Sequence, residues 1–491
     1  MNGTMRLNLV RAAALLGLMF AGCSNTVDLH DVVIFDVTVV DVESGEVRRR
    51  QSIAIDDKTI TYLGTDTDHD HQGRIFIDAS GLYAIPGLWD MHVHIEGKNL
   101  VEDNLILFPV YVAYGITTVR DMASDLGEQV LAWRDDIDAD KLLGPRIYTA
   151  GRKIEGIDSI WKDDLEVATE AEMRNMMDLL DDYKVDFVKV TENTLDAELF
   201  VATVREAHKR GYKVSGHVPH GATINEVAQS GMSSIEHASH ILRLGSADEE
   251  DIAARVRSGT LSKKEAEERY AETFNQEHAK QAYEKFATYG VYVTPTLIGG
   301  HKMAYLDEDD HSDDFFQRYL TQAFMAPYGL RTARVMNATL DQRQARKSRF
   351  LRIAAQMPLL QQLGVNLIAG SDSAPIAVFV YPALGLHEEL QILQNAGLSS
   401  LQVLQAATIN GARFLQKDDS AGTLATGKVA DIVLLRDNPL EDIAATLSID
   451  TVVMRGRVFD RDELDLMLET AANSVVSLDT ARLATASRTQ K

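Results

Sequence analysis

Eight short apolar runs, each followed by a loop and then a segment of helical periodicity, fill the middle of this 491-residue chain: AIPGLWDMH, TTVRDM, RIYTAG, DFVKV, KVSGHV, SSIEH, VYVTPTL and NLIAGSD. Short apolar strands that alternate with helices favour a parallel sheet covered by those helices, and eight such units are what a (β/α)8 TIM barrel needs. Residues 165–184, 195–210 and 263–288 carry apolar side chains at three-to-four spacing and are expected in the outer helical ring. A doubly wound open sheet is the alternative. It does not account for the polar residues that recur at the C-terminal ends of so many runs.

The chain ends read differently. VVIFDVTVVDV, the turn-like ESGE and IDDKT alternate as strands and turns, and GTLATGKVADIVLL, DNPLED and TVVMRGRVF do the same near the other end. The expected fold class is therefore α/β, a TIM barrel over residues 85–417 with a small β-sandwich domain formed from both chain ends, 28–84 and 418–460. A C-terminal helix and tail follow over 461–491. Residues 299–350 are too long for a standard connection and are expected to form helices over the barrel mouth.

The first 22 residues read as a signal peptide, with Arg6 and Arg11, an apolar run over 12–20 that is too short to span a bilayer, and Ala21-Gly22-Cys23. The segment resembles a bacterial lipoprotein signal, in which Cys23 becomes the lipid attachment site, and Ser24 resembles the outer-membrane sorting choice. The implied location is periplasmic and lipid-anchored at the outer membrane; a plain secretory signal with an incidental cysteine is the other reading. Cys23 is the only cysteine, so neither an internal disulfide nor a cysteine metal site can form. A net charge of −24 without clustered Lys and Arg argues against a nucleic-acid partner.

In DMHVH, His92 and His94 stand at i and i+2 of a strand, on one side, where both can reach one ion. From spacing alone a packed or exposed accident is equally open. His217 in VSGHV, His237 in SSIEH and Asp372 in IAGSD each end another expected barrel strand, and together they form a nitrogen and oxygen set suited to zinc or a similar divalent ion. Lys189 in DFVKV also ends a strand, where a bare ammonium is costly. Carboxylated by CO2 it becomes an oxygen ligand; the alternative is a snorkelling or salt-bridged lysine. Arg152 is a candidate for a substrate carboxylate or for an ion pair, and His220 and His240 for substrate contact or loop polarity. His387 is expected to begin or flank a helix, and the acidic run 307–314 to be a solvated loop.

These motifs, with GITTVRDM, LQAATINGARFL and GTLATGKVADIVLLRDNPLEDI, resemble the amidohydrolase superfamily, in its prolidase-like and imidazolonepropionase-related branch, over about residues 30–457. The resemblance implies a site of two divalent metal ions, zinc by preference, with His92, His94 and Asp372 on the first, His217 and His237 on the second, and carboxylated Lys189 bridging. It further implies a metal-bridging hydroxide as nucleophile and Asp372 as catalytic proton shuttle. The substrate class it implies is a small molecule with an amide C–N bond, a dipeptide or N-acyl amino acid. A lactonase or phosphotriesterase uses the same chemistry, and a non-catalytic lipid-anchored binding protein is the rival from a different class. Members of this kind often form homo-oligomers.

Overall fold

The computed structural model describes residues 28–65, 71–161 and 163–489; the signal-like segment and Cys23 lie outside the described residues. No helix among the described residues is long and apolar enough to cross a membrane. Five strands come first, β1 (Asp28–Val40), β2 (Val47–Asp56), β3 (Thr59–Thr65), β4 (His71–Asp78) and β5 (Tyr83–Pro86). The α/β part follows with β6 (Leu88–Val93), β7 (Ile116–Asp121), β8 (Arg146–Thr149), β9 (Ile154–Gly156), β10 (Leu165–Val167), β11 (Val188–Val190), β12 (Val214–Gly216), β13 (Ser234–Glu236) and β14 (Tyr292–Thr294). The chain then returns with β15 (Ile432–Leu435), β16 (Ile449–Met454) and β17 (Arg457–Phe459).

Both chain ends do build one β unit, but it is not two separate sheets. The strands form a single eight-stranded mixed sheet in the order β17-β16-β15-β5-β1-β2-β3, with β4 branching from β1. The reason lies in β1, whose register against β2 slips between Ile34 and Val37 and again between Val37 and Val39, with Asp36 at φ 54°. Such bulges bend a strand and raise its twist. The first part of β1 pairs with β4 and the second with β5. The bent sheet encloses one core in which Val32, Ile34, Ile53 and Ile55 from the N-terminal strands meet Ile432, Leu434 and Val453 from the C-terminal ones.

The central domain is a TIM-barrel-like α/β unit. Seven of the eight apolar runs contain parallel strands, in two sheets, β6-β7-β8 and β10-β9-β11-β12-β13-β14. The eighth run has only two isolated bridges, Val293 with Leu367 and Val93 with Ser373. Its backbone nevertheless joins both neighbours: Ile368 N–H donates to Val293 O at 3.0 Å, Met91 N–H to Ala369 O at 2.9 Å and Asp372 N–H to His92 O at 2.7 Å. The regular closed barrel is corrected at the opposite seam. There β9, which the sequence pattern does not disclose, pairs with Val190 of β11, and β8 meets only the segment leading into β11, through the bond from Asp186 N–H to Thr149 O.

Two expected helices are also revised. Residues 165–184 split into β10 and the helix Glu170–Tyr183, which starts at a Thr169/Glu172 capping box, and 263–288 forms two helices, Lys263–Glu272 and Gln276–Ala287, capped by Ser262 and Asn275. Residues 299–350 contribute to four α-helices, Leu297–Tyr305, Gln322–Met325, Tyr328–Met336 and Leu340–Ala354, and a short 3-10 helix, Phe315–Tyr319. The first of these is held by Glu389, whose carboxylate accepts the N–H groups of Leu297 at 3.0 Å and Ile298 at 2.7 Å. The C-terminal helix Arg461–Thr489 packs on Val101–Ala113, with Arg482 on Asp103.

Candidate metal centre

The alternation of β6 places Asp90, His92 and His94 on one side of the strand. Asp90 is buried, which pushes its pKa up to about 6, and it accepts Ser371 N–H at 2.9 Å and Ser371 Oγ at 2.7 Å. That pair locks the eighth run against β6. His92 Nδ1 lies 2.8 Å from Glu236 Oε2, and its Nε2 faces Asp372 Oδ1 at 3.2 Å. His94 Nδ1 lies 3.1 Å from the Ala123 carbonyl, and its Nε2 is 3.4 Å from the same Asp372 oxygen.

On the other side of the mouth, His217 and His237 bring their Nε2 atoms to 3.0 Å. His217 Nδ1 is 2.8 Å from Glu192 Oε2, and His237 Nδ1 is 2.6 Å from Thr296 Oγ1, whose own hydroxyl donates to Pro295 O at 2.9 Å. The partners decide the tautomers. A carboxylate, a carbonyl and a hydroxyl whose proton is already given away can only accept, so all four imidazoles donate from Nδ1. Four Nε2 lone pairs are then left facing one another and Asp372.

Electrostatics favour neutral rings at His217 and His237, whereas at His94 burial is outweighed by Asp372, Glu96 and Asp121, which push the ring's pKa up. Burial drives the pKa of His217 and His237 well below the usual histidine range, so both rings are neutral. Burial pushes the Asp372 carboxyl up, while protons on the facing His92 and His94 rings would hold it well below the usual range; lone pairs at those positions instead need a cation between ring and carboxylate. Lys189, 2% exposed, has no hydrogen-bond partner for Nζ among the described residues, and His92 Nε2 likewise makes no hydrogen bond. Asp372 at φ 58° and His237 at φ 66° stand in the left-handed region, a strain that functional sites commonly retain.

Imidazole nitrogens turned toward a carboxylate, with acceptors on each Nδ1, are a donor set that could hold a divalent cation. Two groups have their ligand atoms within 4.8 Å of one another, His92–His237–Asp372 and Glu192–His217–His240. The second brings in Glu192, which the sequence reading left out, and His240, whose ring stacks on His217 at 5.5 Å.

Other sequence candidates lie elsewhere. Arg152 spends its guanidinium on the backbone carbonyls of Asp163 and Asp164. His220 lies 3.8 Å from Glu267 and lines a cavity of about 550 Å³ together with Glu192 and His240. His387 is buried within its helix and bonded to Thr446 and to the Tyr114 carbonyl, a packing role. The run 307–314 is only partly a solvated loop, since Asp314 takes hydrogen bonds from His311 and Tyr381 and Asp307 pairs with Arg343 and Lys347. Glu236, Arg120 and Thr296 were missed as supports; the available signal was a charge inside an apolar strand, in SSIEH and in TTVRDM.

A second cavity, of about 310 Å³, opens directly on His237 and Asp372 and is roofed by the helix Leu340–Ala354 through Arg346, Arg349, Phe350 and Ile353. This is the mouth that the insertion covers.

Comparison with known proteins agrees with this architecture. Among curated sequences, an adenine deaminase of Thermosipho africanus is 37% identical over 105 residues, 20% of this chain and 17% of the relative, so the chain matches less than a fifth of that protein's length. Among solved structures, a Xaa-Pro dipeptidase with bound methionine superposes with a TM-score of 0.62 at 21% identity, covering 87% of this chain and 99% of the other. A bottromycin amidohydrolase superposes with a TM-score of 0.68 at 18% identity, covering 90% of each. The family model described as "Amidohydrolase family" matches residues 83–459, from the last strand of the N-terminal sheet to the last strand of the whole chain, and the chain therefore belongs to the amidohydrolase family.

Proposed function

We propose that this protein is a divalent-metal-dependent hydrolase that cleaves an amide C–N bond in a small substrate, a dipeptide or N-acyl amino acid. The observation that carries the reading is that His92 and His94 Nε2 face Asp372, His237 groups with His92 and Asp372 and brings its Nε2 to that of His217, and the unpartnered Lys189 amine lies beside them. His92, His94 and Asp372 would hold one cation, and His217 and His237 a second. Lys189 would join the two after carboxylation; burial lowers its pKa to about 8, which leaves a neutral fraction able to add to CO2. Bound divalent cations, zinc by preference, supply Lewis acidity toward water and the scissile carbonyl.

The chain's own part is proton traffic and placement. Asp372, anionic and at the centre of the site, takes the proton of the nucleophilic water and returns it to the departing nitrogen. Glu236, Glu192, Thr296 and the Ala123 carbonyl hold the rings at Nδ1 so that each Nε2 is turned into the site as a ligand atom.

The test is a panel of dipeptides and N-acyl amino acids incubated with protein supplied with zinc and bicarbonate. Chelator-sensitive release of a free amine is the expected result, with Asp372→Asn lowering kcat by roughly 10²–10⁴-fold. Activity that survives both chelation and Asp372→Asn sinks the reading. A second substrate class, the C–N bond of an aminopurine, is favoured by the local likeness to adenine deaminase and belongs in the same panel.

A further inference from the structure

The roof of the site carries a cation that has nothing to pair with among the described residues. On the helix Leu340–Ala354, Arg346, Arg349 and Arg352 recur at three-residue spacing; Arg346 and Arg349 line the cavity over His237 and Asp372, and Arg349 and Arg352 line the neighbouring one. Most of the helix's other cations are engaged. Arg343 lies 3.5 Å from Asp307, Lys347 pairs with Asp307 and Glu308, Arg349 lies 3.9 Å from Glu267, and Arg352 donates to the Ala271 carbonyl at 3.2 Å. Arg346, half-buried, has no ion pair and no hydrogen bond among the described residues.

Arg49, Arg50, Arg205, Arg331 and Arg334 also lack partners among the described residues, but Arg346 is half-buried and lines the cavity that holds His237 and Asp372. A guanidinium presents a planar fork of donors that matches a carboxylate two bonds at a time. Leu297, Met303, Phe350 and Ile353 give the same cavity apolar wall, which suits an aliphatic or aromatic side chain beside that carboxylate.

We infer that Arg346 is the specificity-determining residue for an anionic substrate, binding the free carboxylate of an N-acyl amino acid or dipeptide while the amide lies at Asp372. This deepens the proposed hydrolase reading and rests on it for the identity of the reacting bond. It sets acidic substrates apart from neutral aminopurines, which offer Arg346 no anion.

The experiment pairs N-acetyl-leucine with N-acetyl-leucinamide, and Ala-Leu with Ala-leucinamide. Calorimetric binding is measured on chelator-treated protein, and kcat and KM on the zinc-supplied protein, for wild type, Arg346→Gln, Arg346→Lys and Arg343→Gln. The wild type should favour each free acid by about ten- to a hundred-fold. Arg346→Gln should erase that preference through binding and KM, Arg346→Lys should restore part of it, and Arg343→Gln should keep it. Equal binding of acid and amide, no binding of either acid, or a preference that survives Arg346→Gln overturns the inference. A preference for the acid without cleavage of any C–N bond overturns instead the hydrolase reading beneath it.

Discussion

Two adjacent layers of the barrel interior bury a cation each, and they treat it in opposite ways. In the lower layer Arg120 is wholly buried with every donor group answered. Nε donates to Met91 O at 2.6 Å, Nη1 to Ser215 and Ser234 at 3.1 and 3.2 Å, and Nη2 to both oxygens of Glu236 at 3.0 Å and to Thr294 at 3.1 Å. In the layer above, Lys189 Nζ and His92 Nε2 have no such partners. Other buried polar atoms also lack partners, Thr118 Oγ1 of β7 and Thr191 Oγ1 among them, so what sets Lys189 and His92 apart is their place beside Asp372 and the other rings.

That contrast makes a prediction of opposite signs. Arg120→Met should destabilise the metal-free protein by about 3–5 kcal/mol, because it leaves the Glu236 carboxylate buried without its main counter-charge. Denaturant midpoints at neutral pH measure it. Lys189→Met should do the reverse. Burial lowers the Lys189 pKa from 10.5 to about 8, so below about pH 8 the folded chain carries the whole cost of the buried ammonium, on the order of 3 kcal/mol. The cost fades as pH rises from about 8 toward 10.5, and the stabilising effect of the substitution should fade over the same window. The same variant should bind fewer than two zinc ions per chain and lose activity. If Lys189→Met instead destabilises as strongly as Arg120→Met, the upper layer is structural and the comparison collapses.

The two layers also differ in how legible they were. Strand period and strand ends place His92, His94, Lys189, His217, His237 and Asp372 at one mouth, because a barrel puts the C-terminal ends of all its strands on one face. Pairing partners are a different kind of information. Arg120 and Glu236 are 116 residues apart, and no local pattern says that they meet. The same limit hides β9 and β10, whose three-residue strands sit in a loop with no alternation long enough to read, and the bulges of β1 that turn an expected sandwich into one bent sheet. The roof helix was readable as a covering element, but which of its arginines lacked a partner depends on where Asp307, Glu308 and Glu267 fall.

A smaller effect sharpens the contrast from the second sphere. Thr296 accepts from His237 Nδ1 and thereby fixes Nε2 as a lone pair. Thr296→Val keeps the shape but removes the acceptor. Zinc affinity measured by chelator competition should fall by about 10–100-fold, the usual cost of losing an outer-sphere partner. The equivalent change in the lower layer, Thr294→Val, removes one of several bonds to Arg120 and should leave zinc affinity unchanged. Equal losses from both would mean that affinity tracks general stability and not the orientation of the ring.

The smallest effect concerns protons. Burial holds His240 well below its ordinary pKa of 6.5, with Glu192 opposing and His217, His237 and Arg243 reinforcing the shift. The folded chain therefore keeps the ring neutral while the unfolded chain protonates it. Stability is complete above about pH 6.5 and is lost as pH falls from there toward the folded value. For one such group the slope is at most about 1.4 kcal/mol per pH unit. His240→Gln should flatten the acid limb of the metal-free protein by up to that amount, read from denaturant midpoints between pH 6.5 and 5. The lower layer has no counterpart: although burial pushes the Glu236 carboxyl up, Arg120 and His92 hold it far below this range. His387 and His220, which burial lowers to about 4, add to the acid limb in the same interval, so His240→Gln should remove one share of it, and an unchanged slope would leave it to those other rings.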